Sequence, residues 1–103
     1  MPWRAILLVK VYKDLVKLSI KDRSRIESAI GFLEKYGPFI KPPLCKKIKA
    51  NLFELRIRGQ DSYRIFYTFV KGNYYLVHLF KKKSQKIPPR EIKVALDRVK
   101  QII

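Results

Sequence analysis

Between Asn51 and Pro89, three runs rich in aromatic and β-branched residues follow one another. Only Gly59-Gln60-Asp61-Ser62 and Lys71-Gly72-Asn73 separate them. Short runs of this composition between turn residues predict consecutive antiparallel strands, so the chain must accommodate a meander. In the first run Phe53, Leu55 and Ile57 fall on one side, and Glu54, Arg56 and Arg58 on the other, because successive strand side chains point to opposite faces. The second run, Tyr63 to Val70, is apolar at nearly every residue, and Arg64 is its only charge. The third, Tyr74 to Phe80, holds the chain's only histidine, His78. Runs apolar on both faces predict central strands covered on both sides.

Arg64 is then a cation on an otherwise apolar strand. Burying it unpaired is costly, so it must reach water, a counter-ion or a ligand. Glu54, Asp61 or a helix carboxylate are the counter-ions available. Beyond the third run the chain turns basic at Lys81, Lys82, Lys83 and Lys86, and Pro88-Pro89 then open a helix.

The remaining elements are fixed by spacing. Ala5 to Val9 reads as a first strand. Tyr12, Leu15, Val16 and Leu18 fall at near-helical spacing, and Ser19 to Asp22 has the form of a capping box. Ile26, Ala29, Ile30 and Leu33 continue a second helix, which Gly37-Pro38 stops. Phe39 to Ala50 reads as a loop because of Pro42 and Pro43, and it carries Lys41, Lys46, Lys47 and Lys49. Ile92, Ala95, Leu96, Val99 and Ile102 recur at 3.6-residue spacing in a terminal helix with one apolar face. The predicted order is β-α-α-β-β-β-α. That is an α+β fold, a small antiparallel-rich sheet with helices packed on it. With no repeat or linker, one domain spans residues 1–103.

Lysine and arginine outnumber aspartate and glutamate 24 to 8, a net charge of +16. Such a field favours nucleic acid, an anionic membrane or an acidic protein, and the interleaved aromatics lean towards nucleic acid. A single cysteine, Cys45, excludes an internal disulfide, and Cys45 with His78 cannot make a standard zinc site. One histidine also excludes a His-pair general acid/base nuclease. No segment has the apolar length of a membrane span, and Ile6 to Val9 is too short for a signal-peptide core. The expected compartment is the cytosol, with no membrane partner and no cofactor.

Three phrases carry a resemblance. Leu52-Phe53-Glu54-Leu55-Arg56 is similar to Leu-Trp-Glu-Leu-Arg. Tyr63-Arg64-Ile65-Phe66-Tyr67 resembles a Tyr-Arg-hydrophobic-hydrophobic-Tyr strand. Leu76-Val77-His78-Leu79-Phe80, followed by Lys82, Lys83, Ser84, Gln85, Lys86 and Pro88, resembles Leu-x-His-x-Phe-x-Lys-Lys-Thr-Gln-Lys-x-Pro. In order and at matching spacing, they resemble the RelE/ParE superfamily of bacterial toxins, in its HigB-like, phage-derived branch. The resemblance implies a microbial-ribonuclease-type fold and a toxin of a type II toxin–antitoxin pair. It implies ribosome-dependent endoribonuclease action on mRNA. The implied partners are the ribosome, mRNA and a cognate antitoxin from the same operon, usually of helix-turn-helix type. Two positions depart from RelE itself, which has a lysine where this chain has Glu54 and a catalytic tyrosine after the last basic cluster. Here no tyrosine follows Tyr75. A ParE-like toxin acting on DNA gyrase shares the fold, and a non-catalytic basic nucleic-acid-binding module is the third reading.

Cleavage of RNA by its own 2′-hydroxyl needs a base, an acid and cations around the phosphate, and side chains can supply the cations without a metal. Arg56 and Arg64, on neighbouring strands, suit a phosphate bidentately. With Lys82 and Lys86 they are the catalytic candidates. Lys46, Lys47, Lys49, Arg58, Lys81, Lys83 and Gln85 are the RNA-binding candidates. His78 is a candidate acid/base by its chemistry, although its place mid-run among apolar residues fits a core histidine better.

Overall fold

A computed structural model of the chain describes residues 2–59, 62–83 and 85–103. In order, the elements are β1 (Arg4–Leu7), α1 (Val9–Val16), α2 (Ile20–Tyr36), a 3₁₀ turn at Gly37–Phe39, β2 (Cys45–Lys49), β3 (Leu52–Ile57), β4 (Tyr63–Val70), β5 (Asn73–Lys81) and α3 (Pro89–Ile102). The five strands form one sheet in the order β1-β5-β4-β3-β2. Every neighbouring pair is antiparallel except β1 with β5, which is parallel. The α+β class follows directly.

Two apolar layers enclose the sheet. Val11, Leu15, Ile26, Ile30 and Leu33 of α1 and α2 pack on one face against Leu55, Ile57, Ile65 and Leu76. Ala95 and Val99 of α3 pack on the other against Leu52, Phe66, Val77 and Phe80. β4 is therefore central and covered twice, as its nearly continuous apolar run requires. α2 starts where the capping pattern places it: Ser19 Oγ accepts the Asp22 N–H at 3.2 Å. It ends at Gly37, whose positive φ of 51° and whose contact with the Trp3 ring leave no room for a side chain. Lys71 and Gly72, with φ of 50° and 84°, make the two-residue turn from β4 to β5.

One expectation needs correction. The stretch from Phe39 to Ala50 is not all loop, because Cys45–Lys49 forms the edge strand β2. Its lysines hid it: Lys46, Lys47 and Lys49 are exposed, as on an edge strand guarded by charge. With β2 outside it, β3 becomes an inner strand, and the polar side of its alternation is covered: Glu54 is 1% exposed. β5 also carries a bulge. Phe66 pairs with His78 and Tyr67 with Leu76, so Val77 is an extra residue in β5, and both Val77 and His78 turn towards α3. Asp61, one of the counter-ions considered for Arg64, lies outside the described residues, as does Ser84.

Candidate functional site

The register of β2, β3 and β4 sets Arg56 directly opposite Arg64, and Lys46 directly opposite Glu54. Like charges facing each other across strands are destabilising. Glu54 compensates. Its Oε1 lies 2.9 Å from Arg56 Nε, and its Oε2 lies 3.5 Å from Arg64 Nε. Arg64 is thus paired with a buried carboxylate, the first of its candidate counter-ions, and it also donates from Nη1 to the Tyr63 carbonyl at 3.1 Å. Among the described residues, Arg64 Nε and Glu54 Oε2 have no hydrogen-bond partner, so the ion pair is loose on that side. Burial pushes the Arg64 guanidinium down from its ordinary value, Glu54 opposes this, and Arg56 and Arg58 add to it.

β5 ends at Lys81, and the Lys82 N–H donates to the Ser62 carbonyl at 2.8 Å. That bond holds Lys82 over the two arginines. Its ammonium is pushed below the ordinary lysine value, first by burial, then by Arg64; Glu54 opposes the shift, while Arg56 and Lys46 add to it. Gln85, Lys86 and Ile87 then lie beside β2. Two adjoining recesses result, sharing Lys82 and Gln85. One, about 440 Å³, is lined by Lys46, Lys47, Glu54, Arg56, Lys86 and Ile92 besides these two. The other is lined by Ser62, Arg64 and Lys83 with them. All four catalytic candidates, and Lys46, Lys47, Lys83 and Gln85, therefore converge on one surface. Such a surface has the charge to neutralise a phosphodiester, and a lysine below its ordinary pKa there is deprotonated more of the time and so more often free to accept a proton.

The remaining candidates sit elsewhere. Lys49 borders an apolar groove between β2 and α3 with Ile48, Ile92 and Leu96. Arg58 is exposed beyond the end of β3 and reaches the site only through its field on Arg64. Lys81 borders a neighbouring recess with Phe80, Pro88 and Glu91, which Lys82 and Lys83 also line. His78 is nearly buried beneath α3. Arg98 Nη1 lies 3.3 Å from its Nδ1, and Glu91 Oε1 lies 2.8 Å from its Nε2. A guanidinium only donates, so Nδ1 accepts and Nε2 carries the proton given to Glu91. Its ring stacks on Phe80. Cys45 bonds the Tyr67 hydroxyl on the opposite sheet face, and among the described residues no cluster of metal-ligating side chains forms. Likewise, among the described residues, no helix is long and apolar enough to cross a membrane.

Sequence reasoning overlooked Glu54 as the centre of this arrangement. The signal was present: a lone acid two residues before Arg56, on a strand flanked by cations. Only the pairing register shows that it stands between both arginines.

The sequence profile of the phage-derived Gp49-like protein family matches residues 13–100. The chain belongs to that family. The Gp49-like family is of RelE/HigB type, and its member here is a RelE-superfamily toxin. No curated protein matches the chain. Among solved structures, it is similar to an arginine-to-alanine double mutant of Escherichia coli toxin RelE in the free state, with a TM-score of 0.68 at 15% identity over 100% of both chains. At that identity the similarity concerns the fold. The Gp49-like chain and RelE share one architecture.

Proposed function

We propose that this toxin is a metal-independent endoribonuclease that cleaves mRNA on the ribosome and so arrests translation. The observation that carries the reading is the convergence of Arg56, Arg64 and Lys82 around the buried Glu54. In this reading Arg56 and Arg64 neutralise the scissile phosphate, and their charge becomes most valuable as negative charge builds in the transition state. Lys82 is the candidate base, since its ammonium is destabilised by burial and by its cationic neighbours. Lys86 donates to the phosphate or the leaving oxygen. Lys46, Lys47, Lys83 and Gln85 hold the flanking backbone. Lys49, Arg58 and Lys81 extend the positive field beyond the recess. His78 acts through packing beneath α3.

The open shape of the recess supports ribosome dependence. It is open and supplies charge, while correct placement of a 2′-hydroxyl for in-line attack must come from elsewhere, and positioning supplies a large share of such a barrier reduction. A cognate antitoxin with an acidic contact surface completes the system, complementary to a net charge of +16. The test is overproduction in growing bacteria with mapping of mRNA ends, beside incubation with purified RNA. Growth arrest with new mRNA ends, and intact naked RNA, is the expected pair of results. Intact mRNA in arrested cells refutes the nuclease, and loss of gyrase supercoiling activity would then assign the toxin to a gyrase-directed mode.

A further inference from the structure

On the sheet face away from the cationic recess, the aromatic side chains Trp3, Phe53, Tyr67, Phe69 and Tyr74 surround a cavity of about 320 Å³ that also exposes Cys45. The cavity lies between β2, β3 and β4 on one side and the end of α2 on the other. Its walls are fixed. The Trp3 N–H donates to the Glu34 carbonyl at 3.2 Å, and the indole lies against Gly37, where a Cβ would stand 2.5 Å from the ring. Phe53 stacks on Tyr67, and Tyr74 meets both Tyr67 and Phe69 edge-on or tilted. Asn51 at the rim is held by donating to the Phe69 carbonyl at 2.7 Å.

The chemistry of this lining is unlike the rest of the molecule. In a chain with 31% charged residues, none of the described residues that line the cavity is charged. Among the polar groups of the lining, the Tyr67 hydroxyl lies 2.9 Å from Cys45 Sγ. Burial, together with Cys45, pushes that phenol well above its ordinary value, so it stays neutral. Sulfur is a weak acceptor. A ligand oxygen is a better one, and the hydroxyl can turn to it. A mostly apolar concavity of a few hundred Å³ with a few polar groups is the form of a small-molecule site.

We propose that the cavity lined by Trp3, Phe53, Tyr67, Phe69 and Tyr74 binds a small, uncharged aromatic molecule bearing one hydrogen-bonding oxygen, which accepts from the Tyr67 hydroxyl. The volume suits a single ring with small substituents. The five aromatic rings offer the edge and face contacts such a ring prefers. An anionic ligand is disfavoured, because it would lose its hydration without gaining a counter-charge. The site is independent of the ribonuclease reading, and its test involves no RNA.

The chain carries two built-in reporters, since its only tryptophan and its only cysteine both line this cavity. The probe is p-cresol, with 4-methylbenzoate as the charged counterpart. We expect p-cresol to change Trp3 emission saturably and to slow the reaction of Cys45 with N-ethylmaleimide, both with the same dissociation constant. At ten times that constant the thiol reaction slows about tenfold, because only the free fraction reacts. 4-Methylbenzoate has neither effect. Tyr67→Phe, which is isosteric, and Phe69→Ala, at a side chain 38% exposed, each weaken p-cresol binding about tenfold and keep the parent circular dichroism spectrum. Absence of saturable emission and thiol protection overturns the proposal. So does equal binding of 4-methylbenzoate, or parent-like binding of p-cresol by both folded variants.

Discussion

Replacing Glu54 by Gln removes one charge and almost no volume, and it isolates what the carboxylate does. In the parent, Glu54 is 1% exposed and lies 2.9 Å from Arg56 and 3.5 Å from Arg64. Glu54→Gln leaves a guanidinium with a side chain 8% exposed and no counter-charge, directly opposite a second arginine. Stranding a buried charge in this way costs about 3–5 kcal/mol. Arg56, a quarter exposed, is solvated and adds little. The glutamine carbonyl can still accept from one arginine, which places the expected loss near the lower end, about 3 kcal/mol. For a domain of this size that lowers Tm by roughly 12–24 °C. Arg64→Ala should cost less, about 1–2 kcal/mol, because Glu54 keeps Arg56 and a destabilised cation is removed at the same time. Thermal denaturation by circular dichroism ranks the two variants. Added phosphate should raise the Tm of Glu54→Gln more than that of the parent, since an anion bound beside the arginines replaces the missing charge. A Glu54→Gln melt within about 4 °C of the parent, or one lower for Arg64→Ala than for Glu54→Gln, would refute the reasoning.

Arg64→Lys should lower cleavage on ribosomes by on the order of 10²–10³, since a point charge does not replace a bidentate contact; single-turnover rates decide it. Lys82 is pushed below the ordinary lysine value of 10.5, so cleavage should rise with pH to an inflection below that value, and Lys82→Arg should remove the inflection. The sign for stability agrees: between the lowered folded pKa and the unfolded one, the unfolded chain holds more protons, so the Lys82 contribution to stability grows as pH rises. Lys71→Asn, at a turn residue with φ of 50°, should stabilise the fold by about 0.5–1 kcal/mol, seen as a higher urea midpoint at unchanged m-value. His78→Gln should lower stability by about 1–2 kcal/mol through the Glu91 and Arg98 contacts, with cleavage per folded molecule unchanged.

The meander was legible because β4 and β5 are covered on both faces, and a run as nearly apolar throughout as Tyr63 to Val70 fits a strand covered on both sides. α2 was legible from its ends, where Ser19 and Gly37 perform local tasks that do not depend on the rest of the fold. β2 was not, because an edge strand satisfies only one row of backbone groups and its composition is set by solvent, so Cys45-Lys-Lys-Ile-Lys49 looks like a basic loop. The pairing of Arg64 with Glu54 was one of several open choices, since register is a tertiary property that a strand's own residues leave undetermined. The convergence of Lys82 and Lys86 on the arginines could be anticipated from their place at the end of β5. The separation of Lys49, Arg58 and Lys81 could not, because it depends on which face each presents. The aromatic cavity draws on residues from Trp3 to Tyr74, and no local pattern announces a wall assembled from such distant positions.

The two rims of the sheet differ in how they avoid self-association. β1 is four residues long and offers little backbone to a second chain. β2 is longer, and its protection is the row of ammonium groups at Lys46, Lys47 and Lys49 together with the register shift between Lys47 and Lys49. The lysines facing the recess thus also serve as gatekeepers against sheet-to-sheet polymerisation. Substituting them together removes the barrier to strand pairing along with the charge. A toxin so altered would lose potency in a growth assay through aggregation alone, so their contribution to cleavage must be measured on protein shown to be monodisperse.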